Sequence, residues 1–184
     1  CAFALARRKV PGILFRLAAL LQDPESEPRR AALRAIAYVG GDEAELMLRV
    51  FAGQRKDPTD LADCLTALME CNPERSLPFV AQYLNHADPA IAENAAIALG
   101  ASRESEAFTV LKRHWEQTLV SEARDRLLLP IALVRNEDAL RFLLGIVKEG
   151  HSSAGQAALE ALTIYRDDPA ARQRTASAVS EREE

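Results

Sequence analysis

The segment Ala32-Leu33-Arg34-Ala35-Ile36-Ala37 recurs along the chain at a nearly constant spacing, and this recurrence indicates the fold. Each copy keeps small and branched apolar residues in a similar order, and successive copies begin 32, 31, 34 and 29 residues apart. A period of this length is the signature of a protein built from repeated helix pairs. The later copies are Cys64-Leu65-Thr66-Ala67-Leu68-Met69, Ala95-Ala96-Ile97-Ala98-Leu99-Gly100, Leu129-Pro130-Ile131-Ala132-Leu133-Val134 and Ala158-Leu159-Glu160-Ala161-Leu162-Thr163.

A second class of apolar segment lies between these copies, with spacings of three, four and seven that are typical of one helical stripe. Each period therefore holds two helices, an outer A helix and a B helix that carries the repeated stretch. The A-helix sets are Ile13, Leu14, Leu17, Leu20 and Leu21; Leu46, Leu48, Val50 and Phe51; Phe79, Val80, Tyr83 and Leu84; Val110, Leu111 and Trp115; Leu140, Leu143, Leu144 and Val147.

The helix starts are marked by Asx-Pro pairs, in which the Asx side chain caps free amides and proline takes the first helical position. We also predict that Asp42 caps a helix and that Pro130, which lacks a backbone N–H, kinks the fourth B helix. The pairs are Asp23-Pro24, Asp57-Pro58, Asn72-Pro73, Asp88-Pro89 and Asp168-Pro169.

The composition agrees with an all-helical protein and excludes several classes. The chain has 33 Ala and 25 Leu among 184 residues, against 16 Val and Ile together, which disfavours a sheet. With 48% hydrophobic residues, a net charge of −4 and three cysteines, it is neither disordered, nor collagen-like, nor a disulfide miniprotein. We expect the cysteines to be small apolar residues without a disulfide.

These observations predict an all-α fold, a right-handed α-solenoid of about five stacked antiparallel helix pairs. Small residues such as Ala32, Ala35, Ala95 and Ala158 would let neighbouring B helices approach closely. We expect one domain over 1–184, a piece of a longer protein. Its units are 11–41, 42–72, 73–101, 102–135 and 136–167, followed by a polar capping helix over 168–184.

The segment from Leu20-Leu21-Gln22-Asp23 through Arg29-Arg30-Ala31-Ala32-Leu33-Arg34-Ala35-Ile36 to Gly40-Gly41-Asp42-Glu43-Ala44 resembles the short HEAT-like repeats of the phycobilisome-lyase type. The segment from Ile91 to Gly100 resembles them as well. The other units depart at Gly53, Pro130 and Gly155. The resemblance, which extends to armadillo-like solenoids, implies B helices on the concave side and a use mainly in protein binding.

On that expectation, the B-helix side chains that point away from the core form a concave groove. Residues 1–40 carry a net charge of +4, residues 41–100 carry −6 and residues 101–184 carry −2, so the groove has an acidic centre. The candidate contacts are Arg30, Arg34, Tyr38, Asp63, Thr66, Glu70, Glu93, Asn94, Ile97 and Arg135, with Leu127, Ile131, Gln156 and Glu160 in the later units.

The sequence therefore predicts a non-catalytic scaffold for a protein or peptide partner with basic character. We expect no catalytic residue, cofactor or metal. The acidic groove centre and the A-helix place of Trp115 argue against nucleic acid, which needs clustered Lys and Arg with stacking platforms. A rigid spacer in a larger protein and, less favoured, an enzyme like the bilin lyases stay open as alternatives.

The expected location is the cytoplasm, or the cytoplasmic face of a membrane if a spanning segment precedes Cys1, because Arg7, Arg8 and Lys9 are basic. We expect no direct membrane contact by this segment. If the chain begins inside a repeat, apolar residues at its start would be exposed and favour self-association. These residues are Phe3, Leu5, Val10 and Ile13.

Overall fold

The structure, a computed structural model, describes residues 12–54, 57–149 and 152–183. Within these ranges every regular element is a helix, which confirms the predicted all-α fold. The chain divides into two compact units, residues 1–98 and 99–184. Four of the five predicted segments hold two α-helices each, and the segment 102–135 holds three. The organisation as one domain remains a prediction.

The first unit is built from an alternating succession of A and B helices. Helix α1 packs on α2, α2 packs on both α3 and α4, and α4 packs on α3 and α5. The helices are α1 (Ile13–Leu20), α2 (Ser26–Val39), α3 (Gly41–Gln54), α4 (Pro58–Cys71), α5 (Pro73–Ala81) with a 3₁₀ turn at Gln82–Asn85, and the start of α6 (Pro89–Ala101).

The second unit continues the same alternation. Helix α9 packs on α7, α10 and α11, while α10 packs on α11 and α12. The helices are α7 (Ser105–Gln117), α8 (Ser121–Arg126), α9 (Leu128–Leu133), α10 (Glu137–Glu149), α11 (Ser152–Leu162) with a 3₁₀ turn at Thr163–Tyr165, and α12 (Pro169–Glu183).

Most of the predicted helix starts are confirmed. The Asp57 carboxylate accepts hydrogen bonds from the Thr59 and Asp60 amides, and Pro58 is the first residue of α4. Asn72, Asp88 and Asp168 cap α5, α6 and α12 in the same way. At Asp23 the carboxylate caps the Glu25 amide, but α2 begins two residues after Pro24.

Three predicted positions are wrong. Leu46 and Val50 are 63% and 50% exposed, whereas Leu48 and Phe51 are buried. Residues two apart lie on nearly opposite sides of a helix, so these four cannot share one stripe. Asp42 is not an N-cap, because α3 begins at Gly41.

The buried interior along the B helices consists of small residues, as predicted. Ala32, Ala35, Ala95 and Ala158 are fully buried, and Ala67 is nearly so. Cys64 lies among them as a free thiol whose Sγ donates to the Leu48 carbonyl at 3.2 Å. Burial raises the pKa of this thiol to about 12. Cys64 therefore acts as a small core residue, as expected.

Pro130 interrupts the fourth B helix, which confirms the predicted kink. The helix is split into α8 and α9 with a break at Leu127. A proline at position 130 cannot donate to the Arg126 carbonyl, and its ring collides with that carbonyl in a continuous helix. Gly100 meets this region closely, since a Cβ at position 100 would lie 2.1 Å from the Pro130 carbonyl oxygen.

None of the helices in the described ranges has the length and apolar composition needed to cross a bilayer. Of the residues expected to mediate self-association, Phe3, Leu5 and Val10 lie outside the described residues, as do Cys1, Arg7, Arg8 and Lys9. Ile13 is described and is buried in α1.

We expect Gly100→Ala to lower the free energy of unfolding by about 2–3 kcal/mol, because the added methyl group overlaps a backbone oxygen that cannot rotate away. Chemical denaturation followed by circular dichroism measures the change. Gly53→Ala is the matched control: Gly53 is also helical, and its Cβ would meet no atom within 4 Å. It should raise stability by about 0.5–1 kcal/mol. Equal effects of both substitutions would contradict the close approach at Gly100.

Candidate functional site

The predicted contact residues of the first unit lie mainly on α2 and α4, which pack side by side. Two ion pairs fix their register. Arg29 donates from Nε and Nη2 to Asp60 Oδ1 at 3.0 and 2.9 Å, and Arg30 donates from Nε to Asp63 Oδ2 at 2.8 Å. The paired residues are 31 and 33 positions apart, about one repeat. Equivalent positions of successive B helices are therefore neighbours.

The Arg29–Asp60 pair is enclosed by the fold and was not foreseen from the sequence. The Asp60 residue is 4% exposed. Arg29 also donates from Nη1 to the backbone carbonyls of Asp23 and Pro24, at 2.9 and 2.8 Å. The hydrogen bond to Asp60 raises the pKa of Arg29. This guanidinium thus joins the loop before α2 to the start of α4.

Arg30 and Asp63, both predicted as separate partner contacts, are bound to each other. Arg30 also lies 3.3 Å from a Glu27 carboxylate oxygen, and the hydrogen bond to Asp63 is the main cause of its raised pKa. The basic and acidic bands that the sequence suggested therefore neutralise one another where α2 and α4 begin. Neither charge stands alone on this face.

Four predicted residues remain exposed beyond the ion pairs: Arg34 and Tyr38 on α2, and Thr66 and Glu70 on α4. Their spacing of four residues puts each pair on one side of its helix. With an offset of about one repeat, Arg34 lies opposite Thr66 and Tyr38 opposite Glu70. We call these four residues the B-helix patch. Tyr38 is 54% exposed there, which is unusual for so large an aromatic side chain.

The candidates on α6 have different surroundings. Glu93 is exposed, Ile97 is half-buried, and Asn94 donates from its side-chain amide to the Ala90 carbonyl of its own helix at 2.8 Å. Within the described ranges, Glu70 and Glu93 have no ion-pair partner. Each is therefore an acidic side chain that the described residues leave without a compensating charge.

In the second unit, two of the predicted contact residues are not on the surface. Leu127 and Ile131, expected to face a partner, are buried. The break at Leu127 changes the direction of the chain, so the face read from a continuous helix does not apply to α9. Arg135 is exposed just after α9 with a φ of 56°. Gln156 donates to the Glu160 carboxylate at 3.2 Å, and both are exposed.

A pocket that the sequence did not predict lies in the second unit between α7, α8, α10 and the start of α11. Its volume is about 450 Å³, within the usual range for ligand sites. We call it the Trp115 pocket. It is lined by Trp115, Ser121, Arg124, Asp125, Arg141, Phe142, Gly145, Ile146, Glu149, Ser153 and Ala154.

Aromatic rings and a stacked guanidinium form one wall of this pocket. The Arg124 guanidinium carbon lies 3.8 Å from the Trp115 ring centroid, and Trp115 meets Phe142 edge to face at 5.1 Å. Trp115 Nε1 and Arg124 Nε are enclosed and have no hydrogen-bond partner in the part of the chain that the structure describes. Arg141, in contrast, pairs with Asp138 at 3.4 Å and with Glu137 at 3.7 Å.

Comparison with known proteins identifies the repeat. A family model described as HEAT repeats matches residues 48–129. Over these residues the chain is similar to HEAT repeats. The predicted resemblance to HEAT-like repeats is thereby confirmed. The matched segment includes α4, which contributes Thr66 and Glu70 to the B-helix patch, as well as Trp115 and Arg124 of the pocket.

No curated protein matches the chain. Among solved structures, it is similar to a crystal structure of an engineered protein, with 19% identity and a TM-score of 0.41. The match covers 96% of this chain and 56% of the other, so the chain spans little more than half the length of that protein. HEAT repeats commonly serve as scaffolds for protein interaction, and their fold is typically non-catalytic.

No group of three or more His, Cys, Asp or Glu side chains placed to hold a metal ion occurs in residues 12–54, 57–149 and 152–183.

The repeat pattern explains why the Trp115 pocket was not predicted from the sequence. Trp115 falls at an A-helix core position, so its period indicates burial alone. Gly145 was the available signal, because glycine is unfavourable inside a helix and here leaves open space where a Cβ would be.

We expect Asp60→Ala to lower the free energy of unfolding by about 2–3 kcal/mol, since it removes the carboxylate that receives two hydrogen bonds from Arg29. Asp63→Ala is the matched control on the same helix. Its partner pair is more exposed, at 34% and 27% of the side chains, so its removal should change stability little. Urea denaturation of both variants tests this. A smaller loss for Asp60→Ala than for Asp63→Ala would contradict the structural role of the Arg29–Asp60 pair.

His114 predicts a specific pH dependence of stability. Burial lowers its pKa below the ordinary value of 6.5, so the unfolded chain takes up this proton more readily than the folded one. The stabilising contribution is present above pH 6.5 and is lost as the pH falls through the lowered, folded pKa. The unfolding free energy of the wild type minus that of His114→Gln should fall as the pH is lowered from 7.5 to 5. If this difference stays constant or rises, the predicted pH dependence is wrong.

Proposed function

We propose that this chain is a non-catalytic protein-binding module that holds a partner segment on the B-helix patch of its first unit. The proposal is supported by the common use of HEAT repeats in protein interaction. The observation that carries it is the exposure of Tyr38 between Arg34 and Glu70. Tyrosine and arginine are enriched among residues that dominate binding energy, and Tyr38 is 54% exposed to solvent.

The chemistry of the partner follows from the charges that the fold leaves uncompensated. Because Arg30 and Asp63 neutralise each other, Glu70 supplies the negative charge that the B-helix patch offers a partner. A segment with Lys or Arg placed near an apolar residue complements Glu70 and the Tyr38 ring, and a cation can also rest on that ring. The partner is thus a basic protein or peptide, as the sequence suggested, but its recognition depends on fewer acidic residues. No cofactor and no catalysis enter this proposal.

The rigid spacer is the competing function, and it predicts that the patch binds nothing. A random peptide library displayed on phage and selected on the immobilised chain separates the two. We expect enrichment of peptides with Lys or Arg beside an aromatic or aliphatic residue. Binding of these peptides should weaken at least about tenfold in Tyr38→Ala and in Glu70→Lys. Lysine near the end of α4 is compatible with the helix dipole, so Glu70→Lys should stay folded.

Arg16→Glu is the matched control for charge reversal, because Arg16 is exposed on α1, an A helix of the same unit. It should bind the selected peptides as the wild type does. Enriched peptides that bind Tyr38→Ala and Glu70→Lys without loss would exclude the B-helix patch as the site. Failure to enrich any peptide would favour the spacer.

A further inference from the structure

The Trp115 pocket offers an apolar wall of a kind that receives a large side chain. Trp115 and Phe142 line it together with Ile146, and Gly145 leaves its floor open. Such a surface favours aromatic and aliphatic groups, which gain from contact with ring faces and from leaving water. The loop before α8 adds exposed apolar residues beside the lining residue Ser121. Leu119 and Val120 are 95% and 65% exposed.

One cationic group of this wall is placed to bind an acceptor. Trp115 Nε1 and Arg124 Nε are donors without a partner among the described residues, but both are shielded from solvent and a ligand does not reach them. The terminal Nη groups of Arg124 are not among the shielded atoms, so a ligand oxygen can bind there. Arg124 also has no carboxylate partner in the described ranges, unlike Arg141, which is paired with Glu137 and Asp138. A carboxylate is the group that an unpaired guanidinium binds best.

The acidic residues of the pocket limit the kind of anion that it can bind. Asp125 and Glu149 line it together with Arg124 and Arg141, so the four formal charges cancel and the pocket is no general anion site. Anion binding has to depend on Arg124 itself. A multiply charged ion such as phosphate would meet the repulsion of two carboxylates, whereas a single carboxylate attached to an apolar group fits the wall.

Arg124 and the apolar wall lie close together, so the carboxylate and the apolar group belong to one residue of the ligand. Because Arg124 stacks on Trp115 at 3.8 Å, the carboxylate and the apolar group must lie within a few ångströms of each other. The last residue of a peptide carries both on the same Cα. An internal Glu or Asp would sit next to the apolar residue, and neighbouring side chains of an extended peptide point to opposite sides.

We propose that the Trp115 pocket binds the carboxyl-terminal residue of a peptide or protein whose last side chain is aromatic or large and aliphatic. The carboxylate pairs with Arg124, and the side chain rests against Trp115 and Phe142 above Gly145. The site belongs to the second unit alone and does not depend on the B-helix patch.

Trp115 is the single tryptophan of the chain, so its fluorescence reports on the pocket directly. The probe is N-acetyl-phenylalanine, compared with its amide, which lacks the charge, and with N-acetyl-alanine, which lacks the ring. We expect a saturable change with N-acetyl-phenylalanine and an affinity at least about tenfold weaker for both comparators. Acetyl-Phe-Glu-amide and inorganic phosphate, which present an internal acid and a free anion, should also bind at least tenfold more weakly.

Two variants test the roles of the residues. Arg124→Gln should remove the preference for the acid over the amide, and Gly145→Leu should abolish binding by filling the floor. Leucine has room there, since a Cβ at Gly145 meets no atom within 4 Å, and circular dichroism checks that the variant is folded. Affinities are also measured by ligand-observed NMR, because Arg124→Gln changes the surroundings of the fluorophore.

Arg113→Gln, an exposed change on the same helix as Trp115, is the control and should bind as the wild type does. The proposal is overturned if no probe gives saturable binding, if the amide or the internal acid binds as tightly as N-acetyl-phenylalanine, or if Arg124→Gln keeps the preference for the acid. Tyr38→Ala should leave probe binding unchanged. A wrong proposal for the Trp115 pocket is therefore distinguishable from a wrong proposal for the B-helix patch.

Discussion

Close packing of small residues between successive B helices is the constraint on which the first unit depends. Ala32, Ala35 and Ala67 are buried where α2 meets α4, and side chains of this size let two helices approach closely. A single helix pair of about 31 residues cannot bury its apolar stripes alone, so each pair is stabilised by its neighbour. Larger residues at these alanines would separate the helices and break the register that the Arg29–Asp60 pair holds.

Several ion pairs of this protein join consecutive repeats. Arg30 pairs with Asp63, Arg75 with Asp42, and Lys148 with Glu181, each 33 residues apart. Each pair therefore joins equivalent regions of consecutive repeats, where opposite charges favour the stacked arrangement. A net charge computed along the chain overstates what a partner meets, because much of it is already compensated. The exposed side chains that remain, Tyr38 and Glu70 among them, define the surface more sharply than the charge bands did.

The second unit shows how one irregular residue changes a repeat. Pro130 splits the fourth B helix, and the backbone of Gly100 lies close against the Pro130 carbonyl. The short helix α8 then carries Arg124, whose guanidinium covers the Trp115 ring. A repeat with a continuous helix would not be expected to have this arrangement. The departures from the repeat pattern thus coincide with the pocket, whereas the regular repeats carry the exposed face.

The helix pairs, their spacing and most of their starts are predictable from the amino-acid sequence, because helical periodicity, Asx-Pro capping and small buried residues are local properties of the chain. The sequence also placed Arg34, Tyr38, Thr66 and Glu70 on an exposed face. The pairing of Arg30 with Asp63, the burial of Ile131 and the pocket beside Trp115 arise from the folded arrangement instead. Each of these depends on side chains from different repeats, or on the direction taken after a helix break, and neither is encoded in the period of one helix.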